Sequence, residues 1–441
     1  MTELKKMDDL VLQEHYSTLV RSYKKYLTQK LKLDMSRGIP CPDQLDLSAG
    51  LIHCLGEKDY KAANGTDCRN YGVMDGIPEA RELFAQVLET NSQQVIVGGN
   101  SSLTLMHDLI ARALFHGLPD SNAPWGKLPL VRFLCPCPGY DRHFAICEYF
   151  GIEMIPVNYQ QDGPDMAQVE QLAAADSAIK GIWCVPKHSN PTGITYSDAV
   201  VKRLAALPAK APDFRIFWDN AYTVHHLTDN PPHLLNILDE CKKSGHPDRV
   251  FMFCSTSKIS FAGGGLAAVA SSETNINWLK KQISIQTIGP DKINQLRHVR
   301  FFRNLAGIEA HMQRHAAIIK PKFALVQEIL AANLGGKGLA SWSNPAGGYF
   351  ISIDTLPGCA RKVVAKTAAA GVVLTPAGAT YPYGKDPEDK NIRLAPTFPS
   401  LPELKQAMEL FVLCIMIVSV EQELERRGLI PVSKFRHNKK P

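Results

Sequence analysis

The chain has 441 residues, 45% of them hydrophobic and 21% charged, which is material for two or three folded domains of ordinary size. Its formal charge is +6, and the run from Arg426 to Pro441 carries all of it: Arg426, Arg427, Lys434, Arg436, Lys439 and Lys440, with no acid. The rest is balanced, which argues against a nucleic-acid binder, and the basic tail reads as a solvated end.

Met1 to Lys6 has no apolar run behind its lysines and does not read as a secretory signal. Residues 8 to 32 have helical spacing, with Leu12, Tyr16, Leu19, Tyr23, Tyr26, Leu27 and Leu31 largely on one face. Pro40 and Pro42 end that pattern. Between lies Ser36-Arg37-Gly38-Ile39-Pro40, a constrained segment whose glycine lets backbone approach a ligand. Tyr71-Gly72-Val73-Met74-Asp75-Gly76 reads as a shaped loop. Pro78 then suits a first helical turn, and Ala80, Leu83, Phe84, Val87 and Leu88 follow with helical period.

Gln94 to Val97 is a short strand. It runs into Gly98-Gly99-Asn100-Ser101-Ser102, then a helix with Leu103, Met106, Leu109, Ile110 and Leu114 inward. Strand, glycine loop and helix start together offer backbone N–H groups to a phosphate. Apolar runs then alternate with helical segments: Leu130–Leu134, Glu153–Val157, Gly181–Val185, Arg215–Trp218, Val250–Cys254 and Leu266–Ala270. Such lengths, buried on both faces, predict a largely parallel sheet covered by helices, with ligands beyond the C-terminal strand ends. Those ends carry Pro138-Gly139-Tyr140-Asp141-Arg142-His143, Ser189-Asn190-Pro191-Thr192-Gly193, Asp219-Asn220-Ala221-Tyr222 and Ser255-Thr256-Ser257-Lys258. Each alone reads equally as a turn or a helix cap. Their convergence on one edge is what points to a site. A lysine closing a buried strand must be neutralised or used, and used it is an amine nucleophile for an aldehyde.

The eleven cysteines are scattered, and Cys135 and Cys137 lack a second pair for zinc. Free thiols in a reducing cytoplasm are expected. His225-His226 is adjacent and poorly spaced to chelate one metal, so no metal is expected. From about residue 331 a smaller α+β unit begins, with strands at Tyr349–Ile353, Val372–Leu374 and Ile392–Ala395 and a helix from Leu401 to Arg427. The apolar run Leu410–Val420 is too short to cross a bilayer and reads as buried helix. Arg393 in a short strand needs an anionic partner if buried.

Seven motifs in one order carry a family resemblance: Y-G-x-x-x-G at Tyr71, the glycine–serine loop, Tyr140 after P-G, N-P-T-G at Asn190, D-x-x-Y at Asp219, S-x-S-K ending at Lys258, and late Arg393. The chain resembles a fold type I pyridoxal-phosphate-dependent aminotransferase, most like a divergent aspartate aminotransferase subgroup. The resemblance implies an α/β fold: a large domain with a mostly parallel seven-stranded sheet sandwiched by helices, plus a smaller α+β domain. It divides the chain into 1–60 (N-terminal helix and substrate-covering segment, part of the small domain), 61–330 (large cofactor domain) and 331–441 (small domain). It implies pyridoxal 5′-phosphate and ping-pong amino transfer between an amino acid, aspartate or glutamate, and a 2-oxo acid. Lys258 would hold the cofactor as an imine and carry the proton. Asp219 would pair with the pyridine nitrogen, with His143 behind it. Asn190 and Tyr222 would bond the ring hydroxyl, and Tyr140 would stack on the ring. Ser101, Ser102, Ser255 and Ser257 would hold the phosphate. Tyr71 would reach it from a neighbouring subunit, which implies a homodimer with shared sites, no nucleic acid and no membrane. Arg393, with Asn190 and Gly38, would bind the substrate α-carboxylate. Arg37 would meet a side-chain carboxylate, with Arg297 and Arg300 as rivals from a neighbour.

One position departs from the family pattern: Leu266 stands where an arginine usually grips the phosphate. Alternatives are a lyase or decarboxylase on the same scaffold, and a transcription regulator. The regulator would need a DNA-binding module of about 60 residues, where only about 35 precede Ser36. A non-catalytic binding protein would be expected to lack Lys258 or Asp219.

Overall fold

The computed structural model describes residues 3–431. Helix α1 (Asp9–Gln29) leads into strand β1 (Leu33–Asp34), α2 (Pro42–Asp46) and α3 (Pro78–Val87). Then come β2 (Val95–Val97), α4 (Ser102–His116), β3 (Arg132–Cys137), α5 (Asp141–Tyr149), β4 (Glu153–Gln160), β5 (Gly163–Pro164) and α6 (Met166–Ala175). The central part continues with β6 (Ile179–Cys184), α7 (Asp198–Ala205), β7 (Arg215–Asp219), α8 (Ile237–Lys243), β8 (Val250–Ser255) and β9 (Ala267–Ala270). Helices α9 (Glu273–Gln286), α10 (Lys292–Phe302) and α11 (Leu305–Leu334) follow. The chain closes with β10 (Ala340–Trp342), β11 (Ile351–Thr355), α12 (Ala360–Ala369), β12 (Val372–Val373), β13 (Asn391–Leu394) and α13 (Leu401–Arg426).

The large sheet has the order β2-β9-β8-β7-β6-β3-β4-β5. Strands β4, β3, β6, β7 and β8 run parallel; β9 is antiparallel to both β8 and β2. Seven strands were expected, and the eighth is the two-residue β5, folded back on β4 through the turn at Asp162. Alternation sorts the central strands between two cores. Ile216, Trp218 and Met252 enter one, and Phe217, Phe251 and Phe253 enter the other. Both faces are covered by helices, so successive residues such as Ile216, Phe217 and Trp218 are apolar rather than every second one, and the charged residues Lys180, Arg215 and Asp219 fall at or next to strand ends. Gly181 on β6 is required by this packing: a Cβ there would lie 2.7 Å from the Phe133 ring.

A third core joins the start and end of the chain. Leu12 and Leu19 of α1 and Met35 pack with α12, α13 and the β10-β11-β13 sheet. Leu410 to Val420 is buried on nearly every side because α1, α11 and α12 all contact α13. No helix among the described residues is long and apolar enough to cross a membrane. Helix α11 links the first core to the third, with Met312 in the first and Phe323 in the third. The predicted apolar face of α1 is narrower than its spacing implied, since Leu27 is 44% exposed.

The tail was expected to be solvated from Arg426. Arg427 instead bonds Glu423, Asp9 and the carbonyls of Leu4 and Met7, while Arg426 grips Glu423. These contacts hold Glu423 down to about 2, through the hydrogen bond from Arg426 foremost. The other basic tail residues, Lys434, Arg436, Lys439 and Lys440, lie outside the described residues. All eleven cysteines are unpaired.

Candidate active site

The C-terminal ends of β6, β7 and β8 meet the β13 edge of the smaller sheet, and polar side chains gather there. Strand β7 ends on Asp219, which is 3% exposed. Its Oδ2 lies 3.0 Å from His143 Nε2 on α5. The His143 ring stacks on Trp183 with centroids 4.3 Å apart, which fixes its plane. Asp219 Oδ1 is buried and has no hydrogen-bond partner among the described residues. A buried carboxylate oxygen left open is costly unless a donor or cation is meant to reach it.

Lys258 follows β8 in a turn after Ser255. Burial pushes its amine below the ordinary lysine range; nearby Asp219 opposes this, and nearby Arg393 adds to it. An amine so placed has a larger neutral, nucleophilic fraction. Its Nζ lies 5.3 Å from the Tyr222 ring centroid and 6.0 Å from that of Tyr349. Burial also raises the Tyr140 hydroxyl to about 12, with the Asp219 charge adding to it. Tyr140 meets His143 edge-on with centroids 5.0 Å apart.

Arg393 lies in β13, is 7% exposed, and points to the same place. Nη1 donates to Asn190 Oδ1 at 3.3 Å and to Asp141 Oδ1 at 2.8 Å, and Nε donates to Thr375 Oγ1 at 3.3 Å. Thr375 in turn donates to the Ser36 carbonyl at 2.8 Å. That bond brings the N-terminal segment to the guanidinium. Gly38 has a packing reason to be glycine that the sequence did not show: the ring of Phe350 approaches it, and a Cβ would lie 2.5 Å from Phe350 Cζ. The same ring lies 4.9 Å from Arg393 Cζ, a cation–π arrangement.

Ser101 is the N-cap of α4 and Ser102 its first residue. Ser257 Oγ donates to the Asn100 carbonyl at 3.1 Å, which joins the lysine turn to the glycine loop. The four candidate serines thus lie on two connected segments. Leu266 supplies no charge to this region. Its side chain is 1% exposed in the core, and its N–H donates to Thr256 Oγ1 at 2.8 Å. Thr256 therefore sets the distance between the lysine turn and β9, a role its motif did not announce. Two other candidates stand apart. Tyr71 is 79% exposed, and Arg37 is exposed on the covering segment. Of the rivals to Arg37, Arg300 is held by Asp59 of its own chain. His225 and His226 do not act as a pair: His226 Nδ1 meets His188 Nε2 at 3.1 Å, while His225 packs on Tyr222 and Tyr349. Sequence reasoning passed over Asp141, Thr375 and Phe350 as partners of Arg393. Only Asp141, inside the P-G-Y-D-R-H run, left a visible signal.

A doubly covered parallel sheet with a lysine, an aspartate and an arginine at its edge defines a class, the fold type I aminotransferases. The family model described as aspartate amino-transferase matches residues 7–427, and the chain belongs to that family. A Mycolicibacterium smegmatis protein provisionally named an aminotransferase is 50% identical over 416 residues, covering 94% of this chain and 97% of that one. The aspartate aminotransferase of Corynebacterium glutamicum is 45% identical over 406 residues, covering 92% and 94%. A crystal structure of an aspartate transaminase from that organism superposes with a TM-score of 0.93 at 44% identity, over 96% of this chain and 99% of that one. The α-aminoadipate aminotransferase LysN of Thermus thermophilus shares the fold at 16% identity, with a TM-score of 0.72 over 91% and 95%. The protein is an aminotransferase, and the lyase and decarboxylase alternatives are not favoured.

Proposed function

We propose that the protein moves an amino group between aspartate or glutamate and a 2-oxo acid, using pyridoxal 5′-phosphate, as a cytoplasmic homodimer. The observation that carries the cofactor is the open Oδ1 of Asp219, buried beside a lysine of depressed basicity. That donor set fits a pyridine nitrogen and an aldehyde. The C. glutamicum relative's name supports the acidic substrates. When bound, the cofactor supplies an electron sink for the substrate carbon.

The chain's residues divide the remaining work. Lys258 Nζ supplies the attacking amine and then holds and returns the proton at the substrate carbon. Asp219 would keep a positive ring nitrogen stable, and His143, 3.0 Å from its Oδ2, holds it oriented. Asn190 and Tyr222 would hold the ring hydroxyl, and Tyr140 would pack against the ring. Ser101, Ser102, Ser255 and Ser257 offer hydroxyls to the phosphate, with the start of α4 adding backbone N–H groups. Arg393 grips the α-carboxylate beside Gly38. The segments 1–60 and 331–441 together form the unit that closes over 61–330. A half-reaction screen tests the function: each amino acid is added alone to holoenzyme while the visible cofactor band is followed. Aspartate and glutamate should convert it fastest. Conversion only by neutral or aromatic amino acids would refute the acidic assignment.

Arg37 is proposed to meet the substrate's second carboxylate when the covering segment closes. Arg37→Ala should raise KM for aspartate and glutamate roughly tenfold, equivalent to about 1.4 kcal/mol, and barely change alanine. An equal loss for alanine would assign Arg37 to segment closure alone.

Tyr71 is proposed to serve the partner's phosphate, which its 79% exposure on the single chain supports. Mixing Tyr71→Ala and Lys258→Ala subunits should then restore part of the activity in hybrid dimers. With subunit exchange verified, no recovery would mean that each site is complete within one chain.

A further inference from the structure

The hydrogen-bond count at Arg393 leaves no room for a two-nitrogen grip. A guanidinium has five N–H hydrogens, one on Nε and two on each Nη. Nε is engaged by Thr375, and Nη1 spends one hydrogen on Asp141 and one on Asn190. Phe350 covers one face of the group. A carboxylate held by two nitrogens must therefore displace one of these three partners.

They are not equally anchored. Thr375 is 5% exposed and tied to the Ser36 carbonyl. Asn190 is 3% exposed and neutral, so an arriving anion does not repel it. Asp141 is different: its side chain is 34% exposed, and its charge matches that of the newcomer. It is also the first residue of α5, where the helix N-terminus supports a carboxylate that has let go of its arginine.

We propose that Asp141 is a built-in stand-in for the substrate α-carboxylate, which every substrate must displace from Arg393. Asp141 neutralises and aims the buried guanidinium between turnovers, and the exchange of one carboxylate for another leaves Arg393 paired throughout. It lowers affinity for amino acid and oxo acid alike, which speeds release of the product in each half of the cycle. This rests on the reading that Arg393 grips the α-carboxylate.

The test uses holoenzyme and two non-reacting acids, succinate and propionate, titrated by calorimetry. Asp141→Asn, and independently Asp141→Ser, should bind both acids roughly fivefold more tightly, the scale of one partly exposed ion pair. KM for amino acid and oxo acid should fall together by a similar factor. Unchanged or weaker binding of both acids would overturn the proposal and leave Asp141 a positioning residue for Arg393. Arg393→Lys separates the two levels. If it binds succinate as well as the unaltered protein does, the carboxylate-receptor reading itself fails. If it binds poorly and the Asp141 variants gain nothing, only the stand-in fails.

Discussion

Lys258→Ala is expected to retain cofactor and to lose turnover by on the order of 10⁴-fold or more. Two duties disappear with one side chain: the amine that attacks and the base that carries the proton. Their effects do not add, because a site without the nucleophile gains little from a base. Asp219, Arg393 and the serines remain, so binding should persist through the ring nitrogen and phosphate. Borohydride treatment of the unaltered protein should fix the cofactor covalently, and peptide mapping should find it on Lys258. A label on any other lysine would refute the assignment. A small added amine should restore part of the turnover in Lys258→Ala, since it replaces the proton carrier without the tether.

The second large effect is expected at Asp219. Its Oδ2 is taken by His143, and its Oδ1 is the open buried acceptor. Asp219→Ala removes the only carboxylate that β7 presents to the site and leaves His143 without its partner. A preorganised charge in a dry site is worth roughly 10²–10³ in rate, and here the loss should reach or exceed the upper end. His143→Ala should cost far less, because the carboxylate stays. A cofactor analogue methylated on the ring nitrogen carries a permanent positive charge, so it should recover part of the activity of Asp219→Ala. No recovery would show that the carboxylate acts by geometry rather than by charge. Equal damage from His143→Ala and Asp219→Ala would show that the pair works as one unit.

Much of this site was readable before any coordinates, for a physical reason. Parallel strands covered on both faces are apolar through their middles. Polar residues at or just beyond their C-terminal ends, Asp219, Ser255 and the run from Lys187 to Asn190, therefore stand out. The unbroken apolar run in α13 likewise signalled a helix enclosed on all sides. Direction and pairing were not readable. Nothing in Ala267–Ala270 distinguishes an antiparallel strand from a parallel one, because both of its faces are buried. The contact between Gly38 and Phe350 joins positions far apart in sequence, and local composition carries no trace of it. Leu266 showed only that an arginine is missing. That its backbone is anchored by Thr256 follows from the turn geometry, not from residue type. Leu27 follows Tyr26, whose hydroxyl still reaches Glu409 of α13, but it is turned one residue around the helix and is 44% exposed, so periodicity overstated the width of the buried face.

The clasp between α1 and α13 has a consequence during synthesis. Tyr16 bonds Glu421 across 405 residues of chain, and Leu12 and Leu19 find their burial in that same distant helix. A ribosome adding about 5–20 residues per second delivers that partner roughly 20–80 seconds after α1 has emerged. Throughout that interval the first helix is made but has nothing to cover it, while the central sheet behind it can already assemble. The nascent chain thus carries an uncovered apolar stripe at its leading end, a natural handle for a chaperone. Folding finishes where translation began.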